Sequence, residues 1–469
     1  MIGIEELDKL QPSRYPRNDI GASTLFCNIY KENLLYVIER KSFFVYDGKV
    51  WRHDIDSLQT HALAKEFATS AANYFNSKEH ENEDSAKFYA KYFSYEKRCK
   101  LIRDAMSVNP KPFSIFDKQP YLFNCQNCTV NLTTGAANPH DPYDYLTKIS
   151  NVWYDPEESG EEFQKFISDI MQDNSELIEY LKRALGYSLS AATFQECFFI
   201  TYGESTRNGK GTLNSTMQNM MGDYAKSASY ETFESKKYKS GGGGTSEDIA
   251  RLAGARYVSV SEPQEGMTLD SALIKMLSGN DTITARNLYE KSFEFVASFK
   301  IWINTNHLPN ISDDTVFKSG RVQLIPFNRH FGEDEQDKGL KARLTKRENI
   351  SGAFNWCMEG FQLMATEGGL KVPEVIRQEI EAYRAKSDRI GMFLEDCYKK
   401  AFDPMHREKM SEVYKIYKWW LADNGYKGQL SKKKFKQELE KKTGVESYGG
   451  QDVMIGFERS DIVPDTMFY

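Results

Sequence analysis

Between residues 160 and 190 apolar side chains recur at steps of three and four, at Phe163, Phe166, Ile167 and Ile170 and then at Leu177, Leu181 and Leu185. That period predicts two consecutive amphipathic helices. From 197 to 330 the pattern changes to short apolar runs separated by helical text, the signature of an α/β layer. Four runs are predicted as strands, at residues 198–202, 256–261, 299–304 and 321–326. Upstream, as far as about residue 155, helix-like text at 61–76 is mixed with strand-and-turn text at 42–51 that reads as a hairpin around Asp47-Gly48. Beyond Arg343 the period is helical again through Trp356, Phe361 and Tyr383.

A last unit is expected from about Asp388. Val413, Ile416, Tyr417 and Trp420 share one helix face, and Ser431 is placed to cap a second helix that opens Lys432-Lys433-Lys434-Phe435-Lys436. Strand-like text around Gly449-Gly450 follows, so the order is helix, helix, hairpin, as in a winged helix. The Gly-rich run at 240–246 predicts a slack loop inside the α/β layer rather than a boundary.

Composition narrows the class. At 469 residues the chain is long enough for several cores, and its hydrophobic and charged fractions are those of ordinary globular proteins. No apolar run reaches spanning length, and the start Met1-Ile2-Gly3-Ile4 has no signal-like leader, so a cytoplasmic, unprocessed protein with no membrane partner is expected. Seven cysteines, an odd number, do not make a disulfide framework. Cys125 and Cys128 have metal-like spacing, but the only other ligand type nearby is His140, so no metal is expected there. The net charge of -6 argues against a general polyanion binder, which leaves any DNA contact to local patches.

The chemistry begins where the strand at 198–202 runs into Gly203-Glu204-Ser205-Thr206-Arg207-Asn208-Gly209-Lys210-Gly211-Thr212 and a helix. Strand, loop and helix in that order make a phosphate cradle: backbone amides wrap the phosphates at a helix N-terminus and a lysine reaches the β and γ oxygens. The expected nucleotide-binding set is Gly203, Arg207, Asn208, Gly209, Lys210, Gly211 and Thr212, with ATP and magnesium as ligands. Two departures from the usual loop are visible. Five residues rather than four separate Gly203 from Gly209, and the hydroxyl falls one place late, at Thr212, about 100° further round the helix. The second strand ends at Glu262, which suits holding magnesium or orienting water; Glu265 is the alternative. The third ends at Asn306, a neutral donor for water or phosphate, and the fourth begins at Arg321, which either reaches a phosphate in a neighbouring subunit or forms a surface ion pair.

Taken together, Asn208-Gly209-Lys210, Ser261-Glu262-Pro263 and Asn304-Thr305-Asn306-His307-Leu308-Pro309, preceded by Asp117-Lys118-Gln119-Pro120-Tyr121-Leu122-Phe123-Asn124, resemble the phage and plasmid primase-helicases related to the poxvirus primase-helicase, within superfamily 3. The resemblance implies an N-terminal α+β domain (1–155), an AAA+ type P-loop core with flanking helices (156–385) and a C-terminal winged helix (386–469). It also implies a homo-hexameric ring that hydrolyses ATP and moves along single-stranded DNA, 3′ to 5′ by analogy, for a phage or mobile element in a bacterial host, with host replication proteins as further partners. In such rings a β-hairpin between the second and third motifs enters the channel. Residues 277–296 read as two strands about a polar turn, with Arg286, Tyr289 and Lys291 as the DNA-contacting candidates. Lys432, Lys433, Lys434 and Lys436 are the candidates for duplex contact at an origin. No priming domain is expected, because only about 100 residues precede the family-like segment. Two rivals stay open: an ATP-dependent origin initiator or loader without processive unwinding, and a DNA-binding scaffold with weak ATPase.

Overall fold

The computed structural model describes residues 2–235, 247–263, 265–286, 292–424, 426 and 429–464. The Gly-rich run at 240–246, Tyr289 and Lys291 lie outside the described residues.

The N-terminal region pairs β1 (Leu34–Val37), β2 (Ser42–Tyr46) and β3 (Trp51–His53) in an antiparallel sheet. The expected hairpin is there: Tyr46 faces Trp51, Gly48 takes φ 97°, and the Asp47 carboxylate accepts from the backbone N–H groups of Lys49 and Val50 at 2.9 Å. Helices Asp19–Ile29, Leu58–Asn76 and Tyr95–Ala105 bury Phe26, Phe67, Ala71 and Leu101 in one cluster. A second small sheet, β4 (Leu122–Asn124), β5 (Thr129–Asn131) and β6 (Ala137–Asn138), turns at Cys125 and Cys128, both buried, with the Cys125 N–H donating to the Cys128 carbonyl at 2.9 Å.

A five-stranded parallel sheet dominates the middle of the chain. It consists of β7 (Phe198–Tyr202), β8 (Ala225–Ala228), β9 (Tyr257–Val260), β12 (Lys300–Thr305) and β13 (Val322–Pro326), in the spatial order β13-β7-β12-β9-β8. All four predicted strands are present to within a residue or so; β8 was not foreseen, because its text Ala-Lys-Ser-Ala is short and only partly buried at the sheet edge. Alternation explains why these runs are apolar throughout. On one face Phe199, Tyr257, Trp302 and Ile325 enter the cluster built by the two predicted helices, Glu161–Ile170 and Ser175–Leu189; on the other Phe198, Ile200, Val258, Ile301, Ile303 and Leu324 enter a second cluster. Trp302 stacks on Phe199 at 4.3 Å, and its indole N–H donates to Ser188 Oγ at 3.0 Å.

The heads of β9 and β12 carry two buried cations. Arg256 donates to the carbonyls of Leu189 and Leu122, both at 2.7 Å, and lies 4.3 Å from the Tyr224 ring. Lys300 donates to the Ser190 carbonyl at 2.7 Å, over the Tyr187 ring at 4.2 Å; burial first, and the Arg256 charge second, push its pKa well below the ordinary lysine value. Leu189 and Ser190 close the helix Ser175–Leu189, whose last carbonyls lack intrahelical donors and carry the negative end of the helix dipole. The cations therefore tie that helix to the sheet, and Arg256 ties β4 to it as well.

Between β9 and β12 the predicted pair of strands is shorter than its text suggested. Leu277 and Ser278 belong to the helix Ser271–Ser278, which Asp270 caps through the N–H groups of Ala272 and Leu273 at 3.1 Å. Among the described residues β10 (Thr282–Ala285) and β11 (Phe293–Val296) pair, antiparallel.

After the long helices Arg347–Glu367 and Glu374–Ser387, the C-terminal region has its own core around Phe393, Val413, Ile416, Tyr417, Trp420 and Phe435. It runs from the helix Arg389–Cys397 through β14 (Tyr398–Lys400) and β15 (Arg407–Lys409) to the helices Met410–Asp423 and Lys432–Glu440. It closes with β16 (Gly444–Tyr448), β17 (Gln451–Ile455) and β18 (Phe457–Arg459). Ser431 caps its helix as expected, accepting from the Lys434 N–H at 3.3 Å. Among the described residues no helix is long and apolar enough to cross a membrane.

Arg256→Ala removes the donor from two buried carbonyls, each costing about 1–3 kcal/mol when left unpaired. We expect a loss of about 3 kcal/mol in urea unfolding; a midpoint and slope equal to wild type would show that the carbonyls do not depend on this side chain.

Candidate nucleotide site

Because the sheet is parallel, the C-terminal ends of β7, β9 and β12 lie side by side, and each continues into one of the expected motifs. The loop after β7 enters the helix Lys210–Met221, the segment after β9 carries Glu262, and the end of β12 carries Asn306. Lys210 donates through Nζ to the Gly203 carbonyl at 3.1 Å and to Asn306 Oδ1 at 2.7 Å. The Asn306 backbone N–H in turn donates to Glu262 Oε1 at 3.0 Å. Lys210, Glu262 and Asn306 are thus joined in one chain of bonds. Among the described residues Glu265 makes no bond to any of them, so the geometry favours Glu262 of the two carboxylates.

Beneath them Thr201 Oγ1 donates to Asn304 Oδ1 at 2.7 Å, and Asn304 Nδ2 donates to Ser259 Oγ at 3.4 Å, so one amide links β7, β12 and β9. In the sequence Asn304 stood only as part of the motif that runs on to Asn306, with no task of its own. Its signal was a polar residue directly after the apolar Ile301-Trp302-Ile303, which only the order of the strands turns into a bridge.

The glycines earn their place sterically. A Cβ at Gly203 would lie 2.5 Å from the Phe327 carbonyl oxygen, and Gly209, at φ 88°, would press on Ile170 at 2.4 Å. At Gly211 a Cβ would meet nothing within 4 Å, so that position faces open space, while Lys210 and Leu213 on either side are buried. Asn208 is buried and donates through Nδ2 to the Ser205 carbonyl at 2.7 Å, so its side chain shapes the loop from within. Arg207, in the left-handed region at φ 57°, is half-exposed and lies 3.7 Å from Glu333. Thr212 sits half-buried in the first turn, two positions after Lys210.

A polyphosphate fits this arrangement. The Lys210 ammonium is nearly enclosed, yet it bonds only to neutral oxygens, and burial lowers its pKa from the ordinary 10.5 to about 8 against the opposing pull of Glu262. A bound anion supplies the charge it lacks, beside the electropositive start of a helix. Magnesium takes hard oxygen ligands and needs one or two from protein when phosphates supply the rest; the Glu262 carboxylate is of that kind and is joined to the lysine through Asn306, whereas the Thr212 hydroxyl falls one place late in the helix.

Arg321 stands apart from this constellation. It heads β13, at the end of the sheet opposite the loop; its guanidinium pairs with Glu196 and donates to Ser278 Oγ at 3.0 Å. In this chain it is an ion-paired arginine, and service to another subunit requires that pair to open. Of the hairpin candidates, Arg286 is exposed just after β10. On the paired strand Phe293 lies 5.8 Å from the guanidinium of Arg40, which brings the N-terminal region to the hairpin. Lys432, Lys433 and Lys434 are exposed with no acidic partner among the described residues, whereas Lys436 is paired with Asp452 at 2.8 Å and is the weakest of the four as a phosphate contact.

Comparison with known proteins places matches at both ends of the chain. Residues 23–172 match the family described as D5 N terminal like, and residues 385–461 match the family described as Poxvirus D5 protein-like. The chain is 25% identical over 337 residues to "Putative helicase L207/L206" of Acanthamoeba polyphaga mimivirus, covering 68% of this chain and 35% of that protein. It is 24% identical over 242 residues to "Putative helicase 022R" of Frog virus 3 (isolate Goorha), covering 48% and 24%. The chain therefore spans only about a quarter to a third of the length of these relatives. The solved apo structure of the NrS-1 C terminal region (305-718) aligns with a TM-score of 0.44 at 11% identity, covering 91% of this chain and 96% of that one. The viral relatives carry the names of an amoeba and a frog, so the expected bacterial host finds no support in them.

The lowered Lys210 pKa has a signed consequence. Between about pH 8 and 10.5 the unfolded chain binds the proton that the folded chain has released, so the free fold gains stability as pH rises through that window. Binding of a triphosphate runs the other way, because the anion favours charged lysine. Affinity for a non-hydrolysable ATP analogue is expected to be level below pH 8 and to fall by up to about tenfold per unit above it, with proton uptake visible in calorimetry. A flat profile to pH 9.5 would refute this role for Lys210.

Proposed function

Since this chain belongs to the D5-type primase-helicase family, we propose that it is an ATP-driven DNA helicase motor of superfamily 3, working in replication of a viral or other mobile genome. One observation carries the reading: Lys210, Glu262 and Asn306, in the segments that follow three neighbouring strands, converge in a single bonded chain at the start of the helix Lys210–Met221. The strand order β13-β7-β12-β9-β8, with the loop on β7, an interior strand flanked by β13 and β12, supports an AAA+ type core.

In this reading residues 1–155 form an N-terminal α+β domain, 156–385 the motor with its flanking helices, and 386–469 a winged helix whose exposed Lys432, Lys433 and Lys434 meet duplex phosphates. Backbone amides from Arg207 to Thr212 cradle the phosphates of ATP, and Lys210 donates to the β and γ oxygens. Magnesium, held by Thr212 and Glu262, neutralises the phosphate charge when bound. Glu262, anchored by the Asn306 N–H, orients the attacking water. Asn306 surrenders its contact with Lys210 to the γ-phosphate, so the lysine and the amide respond to the same ligand. Subunits assemble as a hexameric ring in which Arg321 exchanges Glu196 for the neighbour's phosphate, and the hairpins carry Arg286, Tyr289 and Lys291 along one strand, 3′ to 5′.

Strand displacement on a forked duplex should be seen with wild type and be lost in Lys210→Ala. DNA-stimulated hydrolysis without displacement would turn the reading to a loader, and neither activity to a scaffold.

The neighbour's contribution has its own test. Lys210→Ala and Arg321→Ala should each reduce ATP turnover by about a thousandfold or more, yet a mixture of the two should recover turnover, because some sites then combine an intact lysine with an intact arginine from the next subunit. No recovery in the mixture would confine Arg321 to its ion pair.

A further inference from the structure

The segment that follows β13 runs along the nucleotide loop and is bonded to it at successive points. The Phe327 N–H donates to the Tyr202 carbonyl at 2.6 Å, His330 Nδ1 lies 2.9 Å from the Thr206 carbonyl oxygen, and the Phe331 N–H donates to the Arg207 carbonyl at 2.9 Å. A carbonyl oxygen only accepts, so the His330 ring must carry its proton on Nδ1. The segment is itself held in shape: Arg329 pairs with Glu335 and lies over the Phe331 ring at 4.9 Å, and Glu335 accepts from the Gly332 N–H at 3.0 Å.

In a trans peptide the C=O and the following N–H point in opposite directions. With the Thr206 and Arg207 carbonyls turned toward the segment, the N–H groups of Arg207 and Asn208 must point away from it. Among the described residues neither of those N–H groups has an acceptor. Two adjacent amides aimed to one side, next to a helix start, form an anion-binding nest. The loop is one residue longer than the usual phosphate loop and holds Arg207 in the left-handed region, a conformation that persists only when its surroundings over-determine it.

We propose that His330 is a positioning residue for nucleotide binding: through Nδ1 it fixes the Thr206–Arg207 peptide, so that the amides of the long loop face the phosphates before ATP arrives. The inference rests on the nucleotide reading given above. His330 touches no phosphate; it acts through the loop.

Steady-state ATP hydrolysis by the full chain with DNA tests it. His330→Ala should raise KM about three- to tenfold, the value of one net hydrogen bond, with kcat within about twofold of wild type. Asparagine places its amide nitrogen near the position of Nδ1, whereas glutamine places it near Nε2. His330→Asn should therefore restore KM to within about twofold, and His330→Gln should behave as alanine; this pair decides the matter even if the alanine variant fails to fold. An unchanged KM in both the alanine and glutamine variants, or asparagine no better than glutamine, overturns the role of His330. Absence of turnover and of ATP-analogue binding in the wild type itself, measured alongside, overturns instead the nucleotide reading beneath it.

Discussion

Parallel strands buried on both faces must all send their connections back over the sheet, so their C-terminal ends gather at one edge, and the rest of this structure depends on that constraint. Three of the five strands, β7, β12 and β9, are consecutive neighbours although two of them are separated in sequence by some hundred residues. Their ends deliver Lys210, Asn306 and Glu262 to one place. The two apolar clusters, one on each face, keep the strands in register, and the strand ends emerge where backbone amides and polar side chains meet solvent.

The site is made of groups that are only partly satisfied within the chain. Lys210 is enclosed but faces neutral oxygens, and the amides of Arg207 and Asn208 lack acceptors among the described residues. Groups of this kind, a lysine among neutral oxygens and amides without acceptors, are ones that an anion complements. At the opposite end of the same sheet Arg256 and Lys300 donate to the carbonyl oxygens of Leu189 and Ser190 at a helix terminus and of Leu122 in β4. Buried positive charge therefore serves two ends differently. At one end it locks β4 and the helix Ser175–Leu189 to the sheet, and at the other Lys210 meets only the Gly203 carbonyl and the Asn306 amide oxygen.

The loop shows how a departure from a familiar motif is accommodated. An added residue between Gly203 and Gly209 increases the conformations open to the loop, and that freedom must be removed before amides can converge. Bonds from Asn208 within and from residues 327–331 alongside remove it. The arrangement couples the loop to β13, and β13 begins at Arg321, so the two ends of one short strand reach two different parts of the proposed ring cycle.

What the amino-acid sequence determined by itself is what depends on near neighbours. The period of apolar residues set the helices Glu161–Ile170 and Ser175–Leu189, runs such as Phe-Phe-Ile-Thr-Tyr set strands, Asp47-Gly48 set a turn, and Ser431 set a helix start. Each follows from local sterics and from which face of an element must leave water. The tertiary structure alone decided the order β13-β7-β12-β9-β8, the edge strand β8, the Asn304 bridge, the ion pair of Arg321 with Glu196, and the contact of His330 with the loop. These join residues far apart in the chain, such as Thr206 and His330, and no pattern of spacing encodes them, because which strands become neighbours is fixed only when both faces of the whole sheet are covered at once.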